Sequence, residues 1–266
     1  MKIKIIFISI LIVSYIETQS QEKFALIIGN ENYTESSIWQ LNKDYAINDA
    51  RAFKEYSIKT LGIPKENIIY VEDGTSLEIN NCINKFIDFM SASPKENDFF
   101  VYYSGYGYLH EYRDTYIIPV DVDEYEMERG IKLNDFYSKL VKNNPKSVTI
   151  FIETTFCVDV YGSLLRGGII PFKDEKLNGN IVVFTANSDN RVAIIDKEKK
   201  HGLFTFFLLK TLQESDGNIS YNELIERVIY EVKLNSIVGY NKKQTPKVNV
   251  GADAQHTWRE WQINKK

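Results

Sequence analysis

Cysteine is nearly absent from the 266 residues: Cys82 and Cys157 stand alone, too few for the disulfide framework that replaces a core in small secreted domains. At most one bridge between them is open to the chain in an oxidising compartment. Six prolines and 14 glycines exclude a collagen-like or linker-dominated architecture. No strong excess of either charge exists, since 32 Lys and Arg face 36 Asp and Glu for a net charge of −4, so a phosphate backbone has no electrostatic hold on the protein and nucleic acid is not an expected partner. No internal repeat, low-complexity tract or long charge block is present. What remains, 44% hydrophobic and 26% charged residues, is the composition of a folded globular chain.

Long apolar runs are lacking too, apart from the twelve residues Ile5–Ile16. Lys2 and Lys4 precede that run, and Glu17-Thr18-Gln19-Ser20 follows it with small residues before Gln21. The pattern predicts a signal peptide over 1–20, cleaved to release a secreted or periplasmic protein. The run is shorter than the roughly 20 residues that span a bilayer, so no stable membrane span is expected after cleavage, an uncleaved anchor being the alternative. No cysteine lies at the cut site to carry a lipid.

From Phe24 onward, short β-branched runs alternate with longer segments of helical period, which predicts an α/β fold with a mainly parallel central sheet and helices on both faces. Strands are predicted near Phe24–Gly29, Asn67–Val71, Asp98–Tyr103, Ser147–Ile152 and Ile181–Thr185. Helices are predicted near Lys43–Thr60, Leu77–Met90, Leu133–Val141, Leu203–Gln213 and Tyr221–Lys233. The unbroken apolar run Phe99–Tyr103 marks a strand buried on both faces, hence mid-sheet. Residues 159–180, with Gly162, Gly167, Gly168, Pro171 and Gly179, read as an irregular surface connection whose Arg166 and Lys173 would suit a nicking protease. Residues 251–266 read as a C-terminal tail in which Trp258 and Trp261 either dock on the body or cover a partner surface.

Ligands of open parallel sheets bind beyond the carboxyl ends of the strands, which directs attention to two segments. In Ser104-Gly105-Tyr106-Gly107, the two glycines are expected to turn the backbone sharply and to present amide N–H groups to a carbonyl or anionic oxygen. In Glu153-Thr154-Thr155-Phe156-Cys157, hydroxyls and a thiol reach the same rim.

These residues sit within a longer series of fragments. Phe24–Asn30 with Tyr33, Asn48-Asp49-Ala50, Leu61–Ile68, Tyr102–Gly107, Tyr116–Asp121, Phe151–Phe156, Thr185–Asp189, His201–Thr205 and Gln244–Pro246 follow one another in an order that resembles the caspase and metacaspase-like cysteine peptidases, their bacterial branch in particular. The resemblance implies a caspase-like sandwich over 21–250, large-subunit-like over 21–160 and small-subunit-like over 181–250. It also implies the site: a histidine between the two glycines, and a nucleophilic cysteine at the end of the next core strand. Here those positions hold Tyr106 and Thr155. Their separation of 49 positions agrees with the interval of roughly 50 residues in caspases.

A thiol with pKa about 8.5 is readily ionised beside an imidazole of pKa about 6.5, whereas an alcohol is not. A phenol titrates some 3.5 units above imidazole, about 5 kcal/mol against proton transfer at neutral pH. The sequence therefore reads as a pseudopeptidase, a binding or regulatory protein without a catalytic dyad and without a cofactor. The alternative is an active endopeptidase cleaving after Arg or Lys through displaced residues, Cys157 two positions beyond Thr155 and His110 four beyond Tyr106. The other reading of Cys157 is a small semi-buried hydrophobe.

By the same resemblance Asp49, Glu153 and Asp189 would line a pocket for a basic side chain, so that a basic peptide or protein is the implied partner. For Asp49 a local cap or pair on its own helix is the alternative. His201 reads as a residue at a helix start. The acidic run Asp121, Asp123, Glu124, Glu126 and Glu128 reads as a solvated face, because it lacks the ligand spacing of a calcium loop, and no metal site is expected. Homodimerisation, as in caspases, is left open.

Overall fold

In the first strand the side chains alternate between two apolar layers, and this alternation sets the architecture of the whole chain. We describe residues 21–34, 44–92, 95–110, 114–123, 126–160, 163–166, 176–186 and 193–264 from a computed structural model; the expected signal peptide and Asp189 lie outside them. The elements are β1 (Lys23–Gly29), α1 (Ala46–Lys59), β2 (Ile68–Glu72), α2 (Ser76–Ala92), β3 (Asp98–His110), β4 (Asp114–Ile117), β5 (Ile131–Lys132) and α3 (Leu133–Val141). They continue with β6 (Ser147–Val160), β7 (Ser163–Arg166), β8 (Ile181–Thr185), β9 (Ile195–Asp196), β10 (His201–Gly202), α4 (Leu203–Glu214), α5 (Tyr221–Tyr240) and β11 (Lys247–Val250).

The main sheet has the order β11-β8-β6-β3-β1-β2, in which β2, β1, β3, β6 and β8 are parallel and β11 is antiparallel to β8. From β1, Ala25 and Ile27 join Phe53 of α1, Phe204 and Leu208 of α4 and Leu224 and Val228 of α5. Phe24, Leu26 and Ile28 join Phe86 and Met90 of α2 and Phe136 and Leu140 of α3 on the opposite face. Helices thus cover both faces, and β3 lies mid-sheet, as its apolar run requires.

Three expectations need correction. Residues 104–107 form no turn: β3 continues as a strand to His110 and β6 to Val160. The glycines there serve side-chain approach instead, for a Cβ on Gly105 would collide with the Tyr103 hydroxyl and lie 2.9 Å from that of Tyr33, while one on Gly107 would enter the Phe156 ring. Second, the 159–180 connection is not wholly irregular, because Val160↔Ser163 through Cys157↔Arg166 pair β6 with β7 as an antiparallel hairpin. Third, α5 runs seven residues past its predicted end, to Tyr240, and stops at Asn241, whose φ of 50° provides a left-handed cap.

Residues 251–264 are built into the body. Trp258 is 7% exposed within the same core as α4 and α5, the Tyr221 N–H donates to the Trp261 carbonyl at 2.9 Å, and the Ile263 N–H donates to Ile219 at 3.1 Å. We expect Trp258→Ala to lower stability by about 3 kcal/mol in urea denaturation with an unchanged slope, the cost of an unfilled aromatic site; a loss below about 1 kcal/mol would mean that the segment only rests on the surface.

Candidate functional site

Twelve parallel pairs join β3 to β6, and near the carboxyl end of that ladder Tyr106 stands opposite Thr155 and Ser104 opposite Glu153. Tyr106 and Thr155 are both buried, at 5% and 4% exposure. The Tyr106 N–H donates to the Tyr33 hydroxyl at 2.8 Å, its carbonyl accepts from the Tyr103 hydroxyl at 2.6 Å and from the Ile118 N–H at 3.1 Å, and its ring lies 5.1 Å from that of Tyr33. Tyr108, Ile118, Val120 and Val122 complete this small aromatic and aliphatic cluster. On the partner strand, Thr155 Oγ1 accepts the Ala193 N–H at 3.1 Å, and Thr154 Oγ1 donates to the Gly105 carbonyl at 2.7 Å.

The rim loops are tied above this pair. Asn30, fully buried, accepts the Gly74 N–H at 3.0 Å through its side-chain oxygen and donates to the Ile118 carbonyl at 3.0 Å. Asp73 accepts the N–H groups of Glu31 and Asn32 at 2.8 and 2.9 Å. Burial pushes the phenols of Tyr33 and Tyr103 well above their ordinary range, so both stay neutral at physiological pH and neither accepts a proton in place of an imidazole.

Asp49 on α1 and Glu153 on β6 converge on the start of α4. That helix begins after Gly202, which has no side chain to cap it. Two carboxylates from elsewhere supply the acceptors: the Gly202 N–H donates to Asp49 Oδ2 at 3.1 Å, and the Thr205 N–H and hydroxyl donate to Glu153 Oε2 at 2.9 and 3.2 Å. Negative charge at a helix N-terminus is favoured by the orphan amides and by the helix dipole. Ser104 Oγ donates to Asp49 Oδ2 at 3.3 Å, and His201 Nδ1 is 2.7 Å from Asp49 Oδ1. The carboxylates are 1% and 0% exposed. Burial, then the charges of Asp49 and Glu153, drives the Tyr102 phenol up, consistent with its neutral hydrogen bond to Thr205 Oγ1 at 2.7 Å. Asp49 therefore caps a helix, but α4 rather than its own.

The remaining residues lie outside this arrangement. Cys157 faces Tyr108 across the ladder and Arg166 on the other side, and His110 pairs with Asp114 of β4. Asp121 accepts the Ser76 N–H at the start of α2 at 2.7 Å and pairs with Arg129 at 3.1 Å; Arg129 also pairs with Glu126. Among the described residues no group of His, Cys, Asp or Glu is placed to hold a metal ion. Cys82 is a free thiol, partly buried against the α2 and α3 layer. Sequence reasoning assigned no role at the site to Tyr33, Ala193 or Gly202, although Tyr33 and Gly202 stand within the fragments that carry the resemblance. An unpaired small residue ahead of a helix was the one available signal, for Gly202.

A family model described as the caspase domain matches residues 22–253. No curated protein matches the chain. Among solved structures it is similar to caspase-1 from Spodoptera frugiperda, at 18% identity over 93% of this chain and 91% of that one, with a TM-score of 0.64. That likeness is one of fold: a mostly parallel sheet between two helix layers.

A Cβ on Gly202 would overlap the Glu153 carboxylate. We expect Gly202→Ala to destabilise by roughly 2 kcal/mol, and Glu153→Ala by a similar amount through the amide it orphans. In the double variant the first cost should largely vanish, a coupling of about 1–2 kcal/mol measured by a denaturation cycle. Additive losses would show that Glu153 does not occupy this space.

Proposed function

The chain belongs to the caspase family, and from that premise we propose that it is a secreted pseudopeptidase whose work is to bind a peptide or protein. One observation carries the reading: the ladder sets Tyr106 against Thr155, where the family resemblance calls for imidazole and thiol, and both are buried and engaged.

The chemistry follows from those contacts. Peptide cleavage by this fold needs a nucleophile that loses its proton easily, a base to take it, and donors facing the carbonyl oxygen. Thr155 Oγ1 accepts a loop amide, which occupies one of its lone pairs and holds the segment at Ala193 against β6. Tyr106 packs on Tyr33, and its N–H is already given to a phenol oxygen. Gly105 and Gly107 lie in a strand, so an oxyanion-binding role for their amides would require the ladder to open.

A basic side chain entering the cleft would meet Asp49 and Glu153 only after displacing the amides of α4, so capture of Arg or Lys there competes with a helix cap. We therefore place the binding role on the folded surface as a whole before this pocket. Secretion rests on the first twenty residues and on no part of the fold. The second reading, an active peptidase through Cys157 and His110, is favoured by their nearness on the extended strands: Cys157 is opposite Tyr108, and His110 follows two residues on, about 7 Å along the strand.

Arg- and Lys-ended reporter peptides incubated with the purified protein, with and without calcium, should remain uncut, and Cys157→Ala should change nothing. Cleavage that disappears in Cys157→Ala would establish the second reading and end the first.

A further inference from the structure

Residues level with one another across parallel strands share a face, and at the amino ends of the main sheet this puts Lys23 of β1, Asp98 of β3 and Ser147 of β6 in one row. Phe100 stands in the next row inward on the same face. Over these rows lie Tyr221 at the start of α5 and Trp261, Gln262 and Ile263 of the C-terminal segment, and a cavity of about 340 Å³ remains between them. That is the size of a small-molecule site. It lies at the end of the sheet opposite the rim that carries Tyr106 and Thr155.

The roof of the cavity is already fixed. The Tyr221 hydroxyl bonds Thr149 Oγ1, Ser220 and Gln262 form a backbone bridge, and the Tyr221 ring meets Trp261 edge-on at 5.7 Å. Phe100 and Tyr221 are buried, whereas Trp261 is half-buried. Three aromatic residues thus frame the space, a setting for a flat apolar body.

The charges decide the other half of the ligand. Asp98 is fully engaged: it accepts the Ser147 hydroxyl at 2.6 Å and the Gln21 carboxamide, and it pairs with Lys146 at 3.3 Å. Lys23 donates to two neutral acceptors, the Leu61 carbonyl and Asn264 Oδ1, each at 2.8 Å, and no carboxylate among the described residues lies within ion-pair reach of it. Its third N–H is left for a ligand. Burial lowers its ammonium from the ordinary lysine range, against the pull of Asp98. A desolvated cation with a donor to spare favours an anion.

We propose that this cavity binds a small aromatic carboxylate, its ring against Trp261 and Phe100 and its carboxylate on Lys23 Nζ. A cationic ligand would meet an excess of lysine, and a wholly apolar one would bury Lys23 without a counter-ion. The site uses no residue of the rim and stands whether or not the chain is a pseudopeptidase.

Phenylpropionate added to isotope-labelled protein should shift the indole N–H signal of Trp261, identified through Trp261→Phe, with a dissociation constant on the order of 100 µM. Phenylpropionamide, equal in shape but uncharged, should bind about tenfold more weakly or worse, the effect of losing a charge-assisted hydrogen bond. Lys23→Met should weaken binding of the acid by a similar factor and leave the amide unaffected. That change also removes two bonds within the protein, so its melting curve is recorded beside it; where it does not fold, the acid-to-amide ratio of the parent decides alone. Equal affinity for acid and amide overturns the proposal. So does full affinity for the acid in a folded Lys23→Met variant, or a Trp261 signal unmoved at about 10 mM acid.

Discussion

The register between β3 and β6 is the constraint on which the rest of this structure depends. Parallel pairing has a side-chain period of two, and a slip by one residue would send every side chain of one strand to the wrong layer. Val101 and Tyr103 belong with α2 and α3, Phe100 and Tyr102 with α1, α4 and α5, and the same holds for Ile150 and Ile152 against Phe151. The core therefore locks the ladder, and the locked ladder brings Tyr106 level with Thr155 and Ser104 level with Glu153. No loop needs to adjust for those residues to meet.

What stands at that rim is a packed, hydrogen-bonded seal. Tyr33, Tyr103 and Tyr106 share two hydroxyl bonds and a ring contact; Thr155 receives a loop amide; Asn30 and Asp73 bind neighbouring loop backbone. Deeper in, two carboxylates satisfy the first amides of α4. All of these groups but Asp73 are buried, and a buried polar group that loses its partner costs about 1–3 kcal/mol, so opening the rim for chemistry would sacrifice several such bonds at once. The same polar residues that would line a cleft here hold the molecule together.

Much of this was legible from the residues. Helix α3 and strand β8 lie where hydrophobic period put them, because each is bounded by clear turn residues and buries one consistent face or run. The rim was harder. Two glycines within four residues ordinarily signal a turn, yet at Gly105 and Gly107 they make room for the Tyr103 hydroxyl and the Phe156 ring, contacts between residues whose meeting depends on tertiary packing. The role of Asp49 was visible only as a pair of options, because its partners at 201 and 202 lie some 150 positions away. The tail after Gly251 was undecided for the same reason: two tryptophans show apolar surface to be covered, but not by what.

Intact-mass analysis after treatment with an arginyl chloromethyl ketone tests the absence of a thiol–imidazole pair most directly, since that reagent alkylates a thiolate held in a substrate cleft far faster than a free thiol. The account predicts a protein whose mass is unchanged while a dithiol control in the same tube is consumed. An adduct mapped to Cys157, suppressed by excess Arg-ended peptide, would contradict it.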